Sequence, residues 1–168
     1  KESRGTGFLS RQLARRIEES GLGEVSGITR HQLYVHNSIA YTSQNSSACL
    51  FVDAGEQEVL VKFCGDYLKK EAAVGSDAGL CIAEPEHVGH DIQEWGRRAK
   101  REVLLLPEAN ELAKKHNLYL EGFTGTLIGQ IGAETTVVLE LLESTSLDNP
   151  TDTVLTMAST LTPYVAVQ

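Results

Sequence analysis

Residues 47–83 read SACLFVDAGEQEVLVKFCGDYLKKEAAVGSDAGLCIA, and this stretch decides the fold class. Its first part, 47–53, is rich in apolar residues, which is typical of a buried strand. From 56 to 73 the apolar residues recur at three- and four-residue spacing, which predicts an amphipathic helix. A Gly/Ser/Asp turn at 75–79 then leads into a second apolar strand at 80–83. A strand, a helix and a strand in succession predict an α/β or α+β fold.

The segments on either side continue this alternation. Helical spacing is also found in three further segments, 8–20, 91–101 and 107–116. Strand-like composition is found in 25–35, 118–120 and 154–167. Thr6 stands just before the first helix, where it is a candidate N-cap. We therefore expect one layered domain, 1–168, in which helices pack on a mixed sheet.

The overall composition excludes several classes of protein. The chain has 168 residues, with 15 Lys and Arg against 23 Asp and Glu, so its net charge is −8. A chain of this size buries about 69% of its unfolded surface, which is enough for a hydrophobic core without disulfide bonds or structural metal ions. No apolar run approaches the ~20 residues of a membrane helix. Because nucleic-acid binders neutralise phosphates with Lys and Arg, a stand-alone RNA- or DNA-binding protein is not expected.

The three cysteines point to a reducing compartment. Cys49, Cys64 and Cys81 are an odd number at wide spacing, with no CxxC pair and no secretory segment before them. Each has apolar neighbours, so we predict buried structural thiols rather than nucleophiles. A cytoplasmic protein is expected.

A glycine-rich run is the most suggestive local motif. Residues 122–132, GFTGTLIGQIG, hold four glycines in eleven residues and precede an apolar, helix-like stretch. Glycines let backbone N–H groups approach a phosphate, and a helix that follows adds its positive end. The run matches neither a P-loop nor a dinucleotide fingerprint. The pattern alone favours the alternative, which is a tight turn or close helix packing.

Two polar segments are weaker candidates for anion binding. Arg4-Gly5-Thr6-Gly7 at the start of the first helix combines a basic side chain with a helix amino end, although a simple capped helix also explains it. Residues 42–47, TSQNSS, follow a predicted strand and offer hydrogen bonds either to a nucleotide or to their own turn. For both segments the pattern alone favours the purely structural interpretation.

Two side-chain clusters have a surface interpretation that we prefer. His87 and His90 form an HxxH among acidic residues, but Pro85 and Gly89 favour an exposed acidic loop over a metal site. Trp95, with the basic residues of 97–101 just after it, forms the densest basic cluster, whose charges spread over more than one face of a helix. A solvated surface is therefore expected there rather than an RNA patch. His31, a lone strand histidine, is expected to be structural.

Taken in order, the motifs resemble the kinase-like ATP-binding domain of archaeal tRNA-Ile 2-agmatinylcytidine synthetases and of shorter stand-alone relatives. The resemblance covers about 3–133. It is carried by four segments: the Arg4-Gly5-Thr6 turn with its helix, the strand–loop–strand ITRHQLYVHNSIAYTSQNSSACLFV at 28–52, the Gly75–Gly79 turn, and 99–133 with Glu121-Gly122 and Ile131-Gly132-Ala133.

The resemblance implies a domain that binds ATP with magnesium and carries out kinase-like phosphate transfer or nucleotide activation related to tRNA cytidine modification. It implies a catalytic role for Arg4 and for Thr6, which is close to the family's phosphorylatable threonine. The residues implied to line the nucleotide site are Gly5, Gly7, Asn45, Ser46, Gly75, Ser76, Asp77, Gly79, Glu121, Gly122, Thr124, Gly125, Gly129 and Gly132.

Because the sequence departs from the family pattern at several points, it does not identify the acceptor substrate or the metal ligands. The family holds its metal with aspartates immediately before the Arg-Gly turn, and the sequence at hand starts at Lys1, after that point. Nothing in the chain resembles the family's oligonucleotide-binding barrel or zinc ribbon, and the tail after Ala133 departs from it. Two alternatives therefore stay open. The domain is a non-catalytic nucleotide-binding or protein-interaction module, or it binds another anionic metabolite.

Overall fold

The computed structural model describes residues 5–39, 45–135 and 153–161. Its helices are α1 (Thr6–Glu19), α2 (Gln57–Glu71), α3 (His90–Ala99) and α4 (Leu106–Lys115), with a 3-10 turn at Pro85–His87. A further helical segment occupies 129–135. The strands are β1 (Gly23–Gln32), β2 (Ser46–Ala54), β3 (Ser76–Ala83), β4 (Tyr119–Gly122) and β5 (Thr153–Leu161).

The strands form one sheet in the order β1-β2-β5-β3-β4. The predicted class, helices packed on a sheet in one layered domain, is confirmed. Each pairing that the structure describes is antiparallel, so the expectation of a mixed sheet is wrong for the described strands. The β2–α2–β3 unit leaves a gap between its two strands, and β5 fills that gap. As a result β2 and β3 run in the same direction without touching.

Helices cover both faces of this sheet. On one face, Leu50 of β2 and Leu80 of β3 pack with α1 and α2 in a core that includes Leu13 and Leu60. On the other face, alternate strand residues such as Cys49 pack with α3, α4 and the helical segment 129–135. This alternation is the period-2 pattern of a strand that is buried on both sides. The sheet is therefore the middle layer of the fold.

Two local predictions are wrong. Thr6 is the first residue of α1 and is buried, whereas Gly5 is the N-cap and its carbonyl accepts hydrogen bonds from the N–H groups of Phe8 and Leu9. Residues 76–79 are not a turn but the first half of β3, because they pair with β5 along their whole length. Only Gly75 keeps a turn conformation, with φ of +83°. Tertiary pairing overrides the turn propensity of Ser, Asp and Gly here.

The prediction for the cysteines is confirmed. Cys49, Cys64 and Cys81 are all buried thiols. Burial raises the pKa of the Cys64 thiol to about 12, so this thiol stays protonated. Among the described helices, none combines the length and apolar character that crossing a bilayer requires.

Candidate functional site

A cavity of about 700 Å³ lies where three segments of the chain meet. These are the segment after β1 (33–39, with Asn45), the segment before α4 (102–106), and the segment that starts the last described helix (126–135). A cavity of this volume is in the range that holds a drug-sized or nucleoside-sized ligand. Its described lining is mostly apolar, with leucines and isoleucines from all three segments.

One wall of the cavity includes a stretch of chain outside the helices and strands. Val103 and Leu104 belong to no helix or strand and line the cavity. Their N–H and C=O groups make no hydrogen bond with any described residue. Backbone donors and acceptors without partners in the protein are available to a ligand. Leu105 follows with 67% of its surface exposed, and Pro107 lies in the first turn of α4.

Asn45 is a polar residue of the cavity lining. The residue is only 5% exposed, and its Nδ2 donates a hydrogen bond to the Tyr34 carbonyl at 2.9 Å. Its own carbonyl accepts from the Leu33 N–H at 2.8 Å and from Gln32 Nε2 at 2.7 Å. Asn45 therefore fixes the segment that follows β1 against the start of β2. Its Oδ1 is buried and accepts nothing from the described residues.

The glycine-rich run forms a tight turn that is bound to the start of β3. The Asp77 carboxylate is buried, and its Oδ1 accepts from Leu127 N–H at 3.1 Å, from Thr126 Oγ1 at 3.0 Å and from the Thr126 N–H. Thr124 Oγ1 donates to the Ser76 carbonyl at 2.6 Å and accepts from the Ala78 N–H at 2.9 Å. The N–H groups of the turn therefore contact a carboxylate of the protein itself.

The glycines of this turn allow backbones to approach each other closely. A Cβ on Gly79 would lie 2.5 Å from the Gln130 nitrogen, and one on Gly129 would lie 2.9 Å from the Gly79 nitrogen. Gly125 has φ of +65°, and a Cβ on it would overlap the Asp77 carboxylate. A Cβ on Gly122 would lie 2.7 Å from Gln130 Nε2. The structure thus shows the packing alternative at these glycines, and phosphate binding by the turn stays a prediction.

The start of α1, with Arg11 and Arg30 beside it, forms a separate, positively charged region, which we call the α1 corner. Arg30 Nη2 donates to Ser46 Oγ at 3.2 Å, and a Cβ on Gly7 would lie 3.9 Å from Arg30 Cδ and 3.4 Å from Arg11 Nη1. The first turn of α1 contains no acidic residue, and its N-cap makes no side-chain hydrogen bond. The helix dipole therefore adds to the arginine charges. Arg4 and residues 42–44 lie outside the described residues.

The candidate residues lie at several different places in the structure. Asn45 and Gly132 line the cavity. Gly5, Thr6, Gly7 and Ser46 belong to the α1 corner. The packed contact between β3 and the glycine-rich turn, which we call the joint, is formed by Ser76, Asp77, Gly79, Gly122, Thr124, Gly125 and Gly129. Gly75 occupies the turn before β3, and Glu121 accepts a hydrogen bond from the Tyr119 hydroxyl on β4.

Two features of this region were not predicted from the sequence. The backbone wall at 103–104 has no side-chain motif, and only the apolar run VLLLP directly after a charged helix marks it. Glu134 lies in the apolar stretch beyond the glycines and is fully buried. Neither of its carboxyl oxygens has a partner among the described residues. Burial, together with the negative charge of Glu108, raises the pKa of Glu134 to about 9, so it is protonated at neutral pH.

The cavity does not form a magnesium site with its described residues. Glu102 is the one acidic side chain among them, and it is paired with Arg98 at 3.1 Å. A group of possible ligands, Glu84, Glu86 and His87, follows the other end of β3, with ligand atoms within 4.8 Å of one another. It is partly exposed, as expected for an acidic surface loop.

The basic cluster is neutralised by neighbouring carboxylates. Arg98 pairs with Glu108 at 2.7 Å as well as with Glu102, and Arg97 pairs with Glu94 at 3.4 Å. Trp95 is 2% exposed and packs inside the protein. These contacts agree with a solvated, charge-balanced surface.

The fold has a counterpart among solved structures. The crystal structure of apo TiaS, the tRNAIle2 agmatidine synthetase, is similar to this chain. The TM-score is 0.64 and the sequence identity is 20%, over 80% of this chain and 32% of that chain. At this identity the likeness shows a related fold, in agreement with the resemblance found in the sequence. The chain spans about a third of the TiaS chain. No protein-family model matches the sequence, and no curated protein matches it either.

Proposed function

We propose that this protein binds ATP, with the adenine in the cavity between Asn45 and the backbone wall at 103–104. The observation that carries the proposal is the free backbone edge of Val103 and Leu104 on an apolar cavity of about 700 Å³. An adenine ring presents a donor and an acceptor side by side, and backbone N–H and C=O groups are the complementary acceptor and donor partners. The fold that the chain shares with TiaS, a synthetase that modifies tRNA, supports a nucleotide-dependent role.

The phosphates are proposed to bind at the α1 corner. Asn45 lines the cavity, and the next residue, Ser46, contacts Arg30 beside Gly7. Both features therefore lie at the amino end of β2. Arginine side chains and a helix amino end are the groups that favour a phosphate anion. On this proposal, Gly5, Thr6 and Gly7 supply backbone N–H groups.

Kinase-like phosphate transfer or nucleotide activation, on an acceptor related to RNA, is the finer form of the proposal. It gives Arg4 and Thr6 the catalytic roles and needs magnesium. Because the described cavity residues do not hold a magnesium ion, the metal ligands are proposed to come from elsewhere, and no step is derived through the metal. A nucleotide-binding module without catalysis is the alternative outcome of the experiment.

Thermal unfolding against increasing ATP with magnesium tests the proposal, with ADP, GTP and magnesium alone as comparisons. A ligand present at 100 times its dissociation constant adds about 2.7 kcal/mol to the free energy of unfolding. For this chain length the expected rise in Tm is several degrees. A rise that needs magnesium supports the kinase-like form. A rise with ATP that ignores magnesium supports the module, and no rise with any nucleotide overturns the proposal.

A pair of matched variants tests whether the nucleotide binds in this cavity. Val103 and Val59 are exposed to similar extents, 41% and 43%, but only Val103 lines the cavity. Val103→Trp is expected to reduce the ATP-dependent rise in Tm by obstructing the cavity, whereas Val59→Trp on α2 is expected to leave it unchanged. An equal effect of both substitutions would place the nucleotide elsewhere.

A further inference from the structure

We propose that Glu84, Glu86 and His87, which directly follow β3, bind a divalent transition-metal ion of the Zn²⁺ type. The ligand atoms are one carboxylate oxygen of each glutamate and one ring nitrogen of the histidine, and these atoms lie within 4.8 Å of one another. The site is separate from the cavity and does not rest on the proposed binding of ATP.

A short turn of the backbone brings the three side chains together. The His87 N–H donates a hydrogen bond to the Glu84 carbonyl at 3.0 Å, and 85–87 form one turn of 3-10 helix. Residues three positions apart in such a turn lie on the same side of it. Glu86 Oε1 lies 3.9 Å from His87 Nε2. Because neighbouring ligand atoms of a tetrahedral zinc ion are about 3.3 Å apart, small side-chain rotations bring the three atoms to ligand positions.

The two carboxylates of this group lack a cation from the protein. In the described part of the chain, neither Glu84 nor Glu86 forms an ion pair with a lysine or an arginine. Lys115, a cation of the neighbouring helix end, is paired with Asp91 at 2.5 Å instead. Two carboxylates at this separation repel each other, and Glu84 is partly buried, which reduces its screening by water. A divalent cation between them removes this repulsion.

A second histidine supports the turn from the side of the helices. His116 Nδ1 donates to the His87 carbonyl at 3.0 Å, because a carbonyl oxygen can only accept, and His116 Nε2 lies 2.7 Å from Asp91 Oδ1. His116 follows the last residue of α4, and Asp91 lies in the first turn of α3. The backbone of the ligand His87 is therefore fixed against two helices, as metal sites require of their ligands. Its side chain keeps 30% exposure, which leaves a path for the ion.

The types of ligand indicate the class of ion. One imidazole nitrogen and two carboxylate oxygens are ligands that Zn²⁺ accepts, with a water molecule in the fourth position. Mg²⁺ and Ca²⁺ prefer oxygen ligands throughout, so the histidine favours a transition-metal ion over them. The set is not the HxxH pair of the sequence, because His90 is the first residue of α3 and is not a member of the group.

The proposed metal site lies far from the proposed nucleotide site. Ala83, the last residue of β3, pairs with Val154 of β5, which pairs with Phe51 of β2. Phe51 is six residues beyond Asn45 along the chain, which corresponds to about 20 Å of strand. The ion is therefore not the magnesium that accompanies ATP in the proposed function.

Titration calorimetry with zinc chloride tests the proposal on the full chain, after treatment with a chelator and without nucleotide. One ion is expected to bind per chain, at least about tenfold more tightly than Mg²⁺ measured in the same way. Zinc is also expected to raise the Tm, because the ligands are brought together only in the folded chain. Zinc binding that is no tighter than magnesium binding would overturn the proposal.

Variants assign the binding to the three side chains. His87→Ala is expected to weaken zinc binding by at least about tenfold, and Glu84→Gln, which keeps the shape but removes the charge, is expected to weaken it as well. His90→Ala, an exposed histidine three positions along the chain, is the matched control and is expected to retain the wild-type affinity. The Tm without metal shows whether each variant is folded.

The outcomes are independent of the proposed function, since no nucleotide is present. If His87→Ala and His90→Ala weaken zinc binding equally, or if neither His87→Ala nor Glu84→Gln weakens it, the protein binds an adventitious ion only and the proposal is overturned. A protein that binds zinc through His87 and Glu84 but does not bind ATP would retain the metal site and lose the proposed function.

Discussion

Asp77 and Thr126, which are 49 positions apart in the chain, are joined by two hydrogen bonds to one carboxylate oxygen, from the Thr126 N–H and from its hydroxyl at 3.0 Å. The bonds hold the glycine-rich turn against the first residues of β3. The helical segment 129–135 begins beside Gly79, where the two backbones approach each other closely. Gly132 and Thr135 of this segment line the cavity, so the shape of the cavity depends on this joint.

Replacing Asp77 is expected to destabilise the protein strongly. Asp77→Ala leaves the N–H groups of Thr126 and Leu127 without their acceptor inside the protein, and we expect the free energy of unfolding to fall by about 3 kcal/mol. Denaturant unfolding followed by circular dichroism measures this change. Thr126→Ala removes only the hydroxyl bond and is expected to cost about 1 kcal/mol. Asp66→Ala, which removes an exposed ion pair with Lys62, is the control, and an effect as large as that of Asp77→Ala would contradict this interpretation.

The close contact between Gly79 and Gly129 makes both positions intolerant of a side chain. A Cβ on Gly129 would lie 2.9 Å from the Gly79 nitrogen and from the Asp77 carbonyl carbon. Because these are backbone atoms that cannot rotate away, Gly129→Ala is expected to lower the free energy of unfolding by about 3 kcal/mol. Gly55→Ala is the matched control, since nothing lies within 4 Å of its added Cβ. A Gly129→Ala protein as stable as the Gly55→Ala protein would show that the turn can move off the sheet.

The sequence predicts most elements well where a single period runs along a segment. The predicted helix 56–73 agrees with α2, Gln57–Glu71, and the predicted strand 47–53 agrees with β2, Ser46–Ala54. The spacing of apolar residues decides both, because each element buries a continuous face. Ser76 to Gly79 is missed because its strand conformation comes from pairing with β5, a partner more than seventy residues away.

The candidate site is predictable only in part, for a similar reason. Asn45 and Gly132 carry local signals, and the structure places both on the cavity. The wall at Val103 and Leu104 contributes through backbone groups, which any residue would provide, so no residue type marks it. The role of Asp77 as an internal acceptor depends on contacts with Thr126 and Leu127, which lie 49 and 50 positions away in the chain. Local sequence patterns do not show such long-range contacts.

The three cysteines are expected to be unreactive in the folded protein. Burial raises the pKa of Cys64 to about 12, and burial together with the nearby Glu134 carboxyl raises the pKa of Cys81. Because the thiolate is the reactive form, labelling with a thiol reagent at pH 8 is expected to be slow in the native state. In denaturant all three thiols are expected to react at once. Labelling of even one cysteine in the native protein at the denatured rate would show an opening of the core.

Glu134 is expected to make the stability of the protein depend on pH. Its pKa is raised to about 9 in the folded state, above the usual value of 4.5. Below pH 4.5 both the folded and the unfolded chain carry the proton. Between pH 4.5 and 9 only the folded chain does, so the contribution of this group falls by about 1.4 kcal/mol for each pH unit as the pH rises.

Comparison with Glu134→Gln isolates this contribution from other titrating groups, because the amide has the shape of the protonated acid and does not ionise. The variant and the wild type are expected to have similar Tm values near pH 5, and the variant is expected to be clearly more stable near pH 8. Glu111→Gln on α4 removes an exposed carboxylate and is not expected to reproduce this divergence. Parallel stability curves for the wild type and Glu134→Gln between pH 5 and 8 would mean that the carboxyl is ionised inside the fold. In that case a cationic or hydrogen-bond donor group must stabilise it there.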